Sequence, residues 1–122
     1  MTTLAGGPRP GYKDGHSIEA RFHWPTGVAL DSEGNLYVSD SNNSRIRRIS
    51  PAGDVTTLAG AGIPGYSDGP GEMARFNFPT GLEVDRNGNL YIADSANHLI
   101  RSITPGHQQF VQESQGSRND DG

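Results

Sequence analysis

The chain repeats itself with a fixed period, and this limits its possible folds more than any other feature. Of the 50 positions in residues 2–51, 28 are identical to the residue found 54 positions further on, without a gap. The longest identical stretches pair residues 2–6 with 56–60 and residues 34–37 with 88–91. A repeat of this length is one structural unit that buries its faces by stacking on its neighbours. Both copies are therefore predicted to adopt the same fold.

Each copy is predicted to contain four short strands joined by tight turns. In the first copy the strands, called a, b, c and d, cover residues 27–30, 35–38, 45–49 and 55–58. Asp31 and Gly34 fit the first and fourth positions of a type I turn between strands a and b. The alternation of strand c is uneven, which is typical of a β-bulge. A glycine-rich crossing over residues 60–76 then leads into the second copy, so each repeat is predicted to be an antiparallel sheet.

Composition excludes several functional classes. The 122 residues include no cysteine and carry a net charge of −4, with ten basic residues of which Lys13 is the only lysine. Disulfide frameworks and thiolate metal sites are therefore excluded, and a nucleic-acid surface is disfavoured. No apolar run approaches the roughly 18 residues of a membrane span, and the sequence shows no signal peptide. The compartment stays unknown, and a secreted parent protein is compatible with these observations.

The second copy also carries a recognisable motif. Residues 97–99 read Asn-His-Leu, the tripeptide that gives NHL repeats their name, and residues 76–94 are similar to the rest of that repeat. The first copy departs from it at residues 43–45. Over residues 2–105 the chain resembles the NHL repeat family. This resemblance implies an all-β fold of β-propeller blades, each a four-stranded antiparallel sheet, with the two repeats forming two blades of a six-bladed propeller.

The register of the repeat divides the chain into four segments. Residues 1–6 are predicted to be the outer strand of a preceding or partner blade, and residues 7–60 the first blade. Residues 61–105 are the second blade, with an outer strand that is degenerate or missing, and residues 106–122 are expected to be a polar, disordered tail.

Two blades leave apolar faces at both ends of the stack. The chain is therefore expected either to be a fragment of a longer propeller or to associate with identical chains, for example as a homotrimer with six blades. In the associated form, residues 1–6 would supply the missing outer strand of a partner.

Charged residues that occur in both copies are assigned to structure, because a feature of every blade serves the blade rather than one site. They are Asp40, Arg47, Asp94, Arg101, Arg21 and Arg75. Arg47 is expected to pair with Asp40, and Arg101 with Asp94. Arg21 is expected to bond to Asp14 or to backbone carbonyls, and its copy Arg75 to bond in the same way to Asp68.

Residues on the crossings or outside the repeat pattern are the candidates for recognition. They are Tyr12, Lys13, His23, Tyr66 and His98. The two tyrosines and the lysine lie on crossings, and loops on a rigid scaffold commonly carry recognition. The two histidines interrupt the repeat. The histidines lack the spacing of a zinc site, and the sequence holds no nucleophile motif. No catalytic residue, metal or cofactor is therefore predicted.

The function predicted from the sequence is that of a binding or scaffolding module for a protein or peptide. Two alternatives implied by the resemblance stay open. One is part of a propeller enzyme, such as an amidating lyase or a gluconolactonase-like hydrolase with an axial metal site. The other is an RNA-binding NHL domain, which the negative charge disfavours. The expected partners are proteins or peptides, further blades or identical chains, rather than nucleic acid or a membrane.

Overall fold

The computed structural model describes residues 3–7, 9–63, 65, 68–70, 74–104 and 110–113, as β-strands joined by turns and loops. Strands β1 to β5 cover Gly15–His16, Pro25–Leu30, Leu36–Asp40, Arg45–Ile49 and Asp54–Ala59. Strands β6 to β10 cover Gly69–Pro70, Pro79–Val84, Leu90–Asp94, Leu99–Thr104 and Phe110–Glu113. No helix within these described ranges has the length and apolar character needed to cross a membrane.

The strands form two antiparallel sheets with the same topology. Their orders are β1-β5-β4-β3-β2 and β6-β10-β9-β8-β7. Strands β2 to β5 and β7 to β10 are the predicted strands a to d, so each repeat builds one blade. The crossing over residues 60–76 and its copy over residues 6–22 each add a fifth strand of two residues. These strands, Gly69–Pro70 and Gly15–His16, lie at the outer edge of the blades. Strands β2 and β7 lie side by side, which stacks the two blades and confirms the predicted propeller architecture.

Tight turns fix the register within each blade. The amide of Gly34 donates to the carbonyl oxygen of Asp31 at 3.3 Å and closes the turn between β2 and β3. Gly34 has a φ of +91°, which glycine adopts without strain. The second blade repeats this turn. The register between β4 and β5 shifts at Ile46 and Arg47, which pair with Ala59 and Thr57, so Leu58 is the extra residue. The bulge therefore lies in β5, whereas the uneven alternation of strand c predicted it in β4, which pairs with β3 without a shift.

The main core lies between the two blades. Because side chains alternate along a strand, each blade has two faces. The forward face of the first blade packs onto the rear face of the second blade. In the first blade the forward face comprises Tyr37, Ile46, Leu58 and Ala59, and in the second blade the rear face comprises Leu82, Val84, Leu90, Ile92 and Ile103. The buried members of both faces are at most 2% exposed, whereas Tyr37, Leu58, Leu82 and Val84 are only partly buried.

A second cluster lies on the rear face of the first blade. Val38, Ile49 and Val55 are buried there, and Phe22 and Ala5 pack against them. The crossing and the first described residues therefore cover part of this face. They leave β2, the innermost strand of the blade, open, since Val28 and Leu30 are exposed.

The outer strand of the second blade is present. Phe110–Glu113 pairs with β9 over four residues, within the segment predicted to be a polar tail. The sequence indicated an outer strand that was degenerate or missing, because residues 108–113 share no identity with the first copy. A strand forms there nevertheless, since ladder hydrogen bonds join backbone groups and need no particular side chains. The position left for a partner's strand is thus filled within the chain.

The described part of segment 1–6 lies outside any strand. Gly6 donates its amide to the Ser17 carbonyl at 3.1 Å, and Gly7 donates to the Ala20 carbonyl at 2.9 Å. These two hydrogen bonds hold the described part of the segment against the residues that lead into β2. Their pairing with a partner blade stays a prediction.

Candidate binding site

Arg47 is fully buried and joins the crossing to the strands of the first blade. Its Nη1 donates to the Asp40 carboxylate at 2.7 Å and to the carbonyl oxygen of Arg21 at 2.9 Å. Its Nη2 donates to the Asp14 carboxylate at 2.8 Å and to the carbonyl oxygen of Lys13 at 2.9 Å. A buried charge needs such a set of partners to offset its desolvation. The Arg47 network therefore holds three separate segments together.

The second blade contains the same arrangement around Arg101. This guanidinium donates to Asp94 at 2.6 Å, to Asp68 at 2.8 Å and to the carbonyl oxygen of Arg75 at 3.0 Å. The pairing of each strand c arginine with the aspartate that ends strand b is the one expected from the sequence. Because both blades contain the network, its contacts belong to the scaffold.

The carboxylate on the crossing has a different partner from the one expected. Asp14 accepts from the side chain of Arg47, whereas Arg21 contributes its main-chain carbonyl to the same guanidinium. Arg21 is only half-buried, while Arg47 is fully buried and gains more from a second carboxylate. Asp68 likewise accepts from Arg101 in the second blade.

Tyr12 is held against the first blade, although it was a candidate for recognition. Its hydroxyl lies 2.6 Å from Oγ1 of Thr57. The guanidinium carbon of Arg45 lies 3.7 Å from the centre of its ring, within the range of a cation–π contact. The side chain of Tyr12 therefore packs on the scaffold with one side and stays 42% exposed on the other. Its copy in the second repeat, Tyr66, lies outside the described residues.

The remaining candidates lie at separate positions. Lys13 forms a backbone bridge with Arg21 on the crossing. His23 lies with its Nε2 3.3 Å from Nδ2 of Asn42. His98 is exposed and ends a 3-10 turn in the left-handed conformation, with a φ of +59°. In the part of the chain that the structure describes, no group of three or more His, Asp or Glu residues is placed to hold a metal ion.

A cleft of about 490 Å³ lies between the two blades, at the end where strands a and b are joined. The turn between β2 and β3 and the turn between β7 and β8 both line it, together with strands of both blades. Its charged residues are Asp31, Glu33, Arg48, Asp85 and Arg86. This cleft therefore combines groups that are far apart in the sequence.

The carboxylate of Asp31 organises one side of the cleft. Its Oδ1 accepts from the amides of Glu33 and Asn35 at 2.9 Å, and its Oδ2 accepts from Nδ2 of Asn35 at 3.1 Å and the hydroxyl of Tyr37 at 2.9 Å. Burial alone would raise the pKa of Asp31, but these hydrogen bonds outweigh it and lower the pKa. Burial and the bond to Asp31 raise the pKa of Tyr37 to about 12. Hydrogen bonds also lower the pKa of Asp85, its copy in the second blade.

Two arginines of the cleft break the repeat. Arg48 stands where the second blade has Ser102, and Arg86 stands where the first blade has Ser32. The Nε and Nη2 of Arg48 donate to Oδ1 of Asn35 at 3.3 and 3.0 Å, which orients this guanidinium. Guanidinium groups match the geometry of carboxylates and other planar anionic groups. Arg48 and Arg86 are thus the groups of the cleft that match an anionic group, and they lie beside the carboxylates of Asp31, Glu33 and Asp85.

The sequence candidates did not include Arg48 or Arg86. The histidines were selected because they interrupt the repeat, and the same criterion applied to arginines would have found both residues. The sequence gives no sign that they line one cleft, because they belong to different blades and meet only when the blades stack.

A profile of the NHL repeat matches residues 22–49 and 76–101. The chain is 39% identical over 94 residues to protein SUPPRESSOR OF QUENCHING 1, chloroplastic, of Arabidopsis thaliana. It is 39% identical over 109 residues to NHL repeat-containing protein 2 of Homo sapiens. These matches cover 76% and 80% of this chain, but the chain spans only 9% and 15% of the lengths of the two relatives.

Solved structures contain the same pair of blades. An auxiliary nutrient binding protein from Bacteroides thetaiotaomicron superimposes with a TM-score of 0.72 at 29% identity, over 90% of this chain and 28% of that one. A protein of unknown function from the same organism superimposes with a TM-score of 0.77 at 28% identity, over 88% of this chain and 27% of that one. Both superpositions include most of the residues described above.

Proposed function

Since this chain belongs to the NHL repeat family, we propose that it is a binding module for a protein or peptide segment that carries carboxylate groups. The observation that carries this proposal is the cleft between the blades, which is lined by two arginines absent from the equivalent positions of the other blade. Residues common to both blades serve the scaffold. Arg48 and Arg86 are not needed for that purpose, because serine occupies each position in the other copy.

The contacts of Arg48 favour a carboxylate ligand. Asn35 engages its Nε and Nη2, which leaves Nη1 without a partner among the described residues. Asp31 and Asp85 add negative charge to the same cleft. Long-range attraction of an acidic ligand is therefore weak, and recognition has to come from short hydrogen bonds to the guanidinium groups. Glu33 supplies an acceptor for an amide or amine of the same peptide.

The comparisons support a binding role. One structure with a similar pair of blades is described as an auxiliary nutrient binding protein. The fold itself hosts many activities, so the proposal rests on the cleft rather than on the fold.

Fluorescence anisotropy with a labelled peptide of alternating glycine and glutamate tests the proposal. The same peptide with glutamine in place of glutamate measures the contribution of the carboxylates. Arg48→Ser and Arg86→Ser give each blade the residue of the other, which preserves the scaffold. Each is expected to weaken binding of the glutamate peptide by about tenfold. Lys13→Ser is the matched control, since it removes one exposed positive charge outside the cleft and installs the residue found at position 67.

The proposal is wrong if the unmodified chain binds neither peptide at millimolar concentration. It is also wrong if Lys13→Ser weakens binding as much as the two cleft substitutions do, because binding would then follow net charge rather than the cleft.

A further inference from the structure

Equivalent residues on the forward faces of the two blades differ in exposure. Ile46 of the first blade is 0% exposed, because the second blade covers it. Ile100 stands at the same position of the second blade and is 42% exposed. No described residue therefore covers Ile100 on the forward face of the second blade, where the exposed Glu83 stands at the position of Ala29.

Equivalent residues on the rear faces also differ in exposure, but here the residues of the first blade are the exposed ones. Leu82 and Val84 of the second blade are half-buried and pack against the core between the blades. Val28 and Leu30 stand at the same positions of the first blade, and each is 63% exposed. The rear face of the first blade is therefore open at Val28 and Leu30. The equivalent face of the second blade is covered by the first blade.

We propose that a second copy of this chain docks head to tail, with the forward face of one second blade against the rear face of the next first blade. The chain already contains this interface once, between its own two blades. The open forward face of the second blade is equivalent to the forward face of the first blade, and the open rear face of the first blade is equivalent to the rear face of the second blade. The two open faces should therefore fit each other as the two covered faces do. The contact is heterologous, because it joins two different surfaces.

The glycines of the innermost strands support this arrangement. At Gly27 the backbones of β2 and β7 approach so closely that a Cβ atom would overlap with the carbonyl oxygen of Thr80. Gly81 occupies the same position in the second blade, where the nearest atom to such a Cβ is the Cβ of Ala93 at 3.7 Å. None of the described residues approaches this position closely enough to require a glycine. A docking copy does require it, because its Thr26 would stand where Thr80 stands in the internal contact.

Light scattering on the purified 122-residue chain, as it elutes from a size-exclusion column, tests this inference. The unmodified chain of 13.0 kDa is expected to form a larger species, at about 39 kDa for a closed ring of three copies. Val28→Asp with Leu30→Asp blocks the rear face, and Ile100→Asp blocks the forward face. Each variant is expected to be monomeric, with a dissociation constant raised at least tenfold by a carboxylate in an apolar contact. Ala52→Asp adds the same charge on an exposed turn outside both faces and is the control.

Mixing the two blocked variants distinguishes head-to-tail docking from any other mode. The rear-face variant keeps its forward face and the forward-face variant keeps its rear face, so the mixture is expected to form a dimer of one chain of each kind. A monomeric unmodified chain overturns the inference, and so does a mixture that stays monomeric. Association of either variant with itself points to an interface between like faces and overturns it too. If circular dichroism shows that Ile100→Asp is unfolded, Gly81→Ala is used as the forward-face variant in its place.

Discussion

Arg47 and Asp40 form an ion pair with a distance of 2.7 Å between nitrogen and oxygen, and both side chains are fully buried. Asp40 also accepts from Nδ2 of Asn43 at 2.7 Å and from the amide of His23 at 2.7 Å. One carboxylate at the end of strand b therefore fixes the loop that follows it and the segment that leads into strand a. The ion pair therefore ties the end of β3 to β4, to the loop that follows β3 and to the segment that precedes β2.

Replacing Arg47 by methionine is expected to destabilise the first blade strongly. Arg47→Met leaves Asp40 buried without its cation, and breaking a buried pair in this way lowers the free energy of unfolding by about 3–5 kcal/mol. Urea denaturation followed by circular dichroism measures the change. Arg48→Ser is the control, because Arg48 is half-buried outside this network and its loss should cost less than about 1 kcal/mol.

A double-mutant cycle separates the pair from the burial of each group. Combining Arg47→Met with Asp40→Asn removes both charges, so the double variant is expected to be clearly more stable than the sum of the single losses predicts. Strict additivity of the two losses would show that Arg47 and Asp40 act independently, contrary to the geometry.

Asp31 is expected to make the stability of the chain depend on acid pH. Its pKa in the folded state lies below the ordinary value of 3.8, so folding favours the ionised form. Its contribution is present above pH 3.8 and is lost as the pH falls through the folded pKa. Asp31→Asn should lower the free energy of unfolding by about 1 kcal/mol at neutral pH and flatten its decline in acid. Urea midpoints measured from neutral pH into the acid range test this, with Glu33→Gln on the same turn as control.

Tyr37 is expected to ionise later than an ordinary tyrosine. Its pKa rises from 10.0 to about 12, first through burial and then through its bond to Asp31. A raised folded pKa means that the contribution to stability is present below pH 10 and is lost as the pH rises toward 12. Phenolate absorbance during alkaline titration should therefore show a late step that Tyr37→Phe reduces, because the pKa of Tyr91 is also raised, by its hydrogen bond to Asp85. A titration curve unchanged in its late part by this substitution would contradict the assignment.

The sequence predicted the blades well because the repeat shows every position twice. Positions 28 and 30 are apolar, and so are positions 82 and 84, which identifies strand a in both copies. Asp31 and Gly34 gave the turn for the same reason. The family resemblance added the propeller, which the stacking of β2 on β7 bears out.

Other features depend on contacts that no local pattern encodes. Arg47 reaches Asp14 from a position 33 residues away, so the sequence showed both groups without showing that they pair. The outer strand β10 forms through backbone bonds and leaves no side-chain signal. The cleft exists only where two blades meet, and Arg48 and Arg86 belong to different blades.

The two equivalent glycines of the inner strands are expected to differ sharply in their tolerance of alanine. Gly27→Ala places a methyl group against the Thr80 carbonyl, which has to move with the whole of β7. Overpacking of this kind costs about 1–3 kcal/mol, and here it forces the blades apart. Gly81→Ala meets only ordinary contacts inside the chain, so its free energy of unfolding as a monomer should change by less than about 0.5 kcal/mol. Dilute samples measured by urea denaturation give both values.

The strength of self-association is the second property to compare between the two glycine variants. If a second copy docks on the forward face of the second blade, the methyl group of Gly81→Ala meets the carbonyl of Thr26 in that copy. The substitution is then expected to leave the monomer intact and to weaken association by about tenfold, since overpacking at an interface costs as much as it does in a core. Equal loss of monomer stability in both glycine variants would contradict the close approach seen only at Gly27. Unchanged association of Gly81→Ala would show that the copies meet elsewhere.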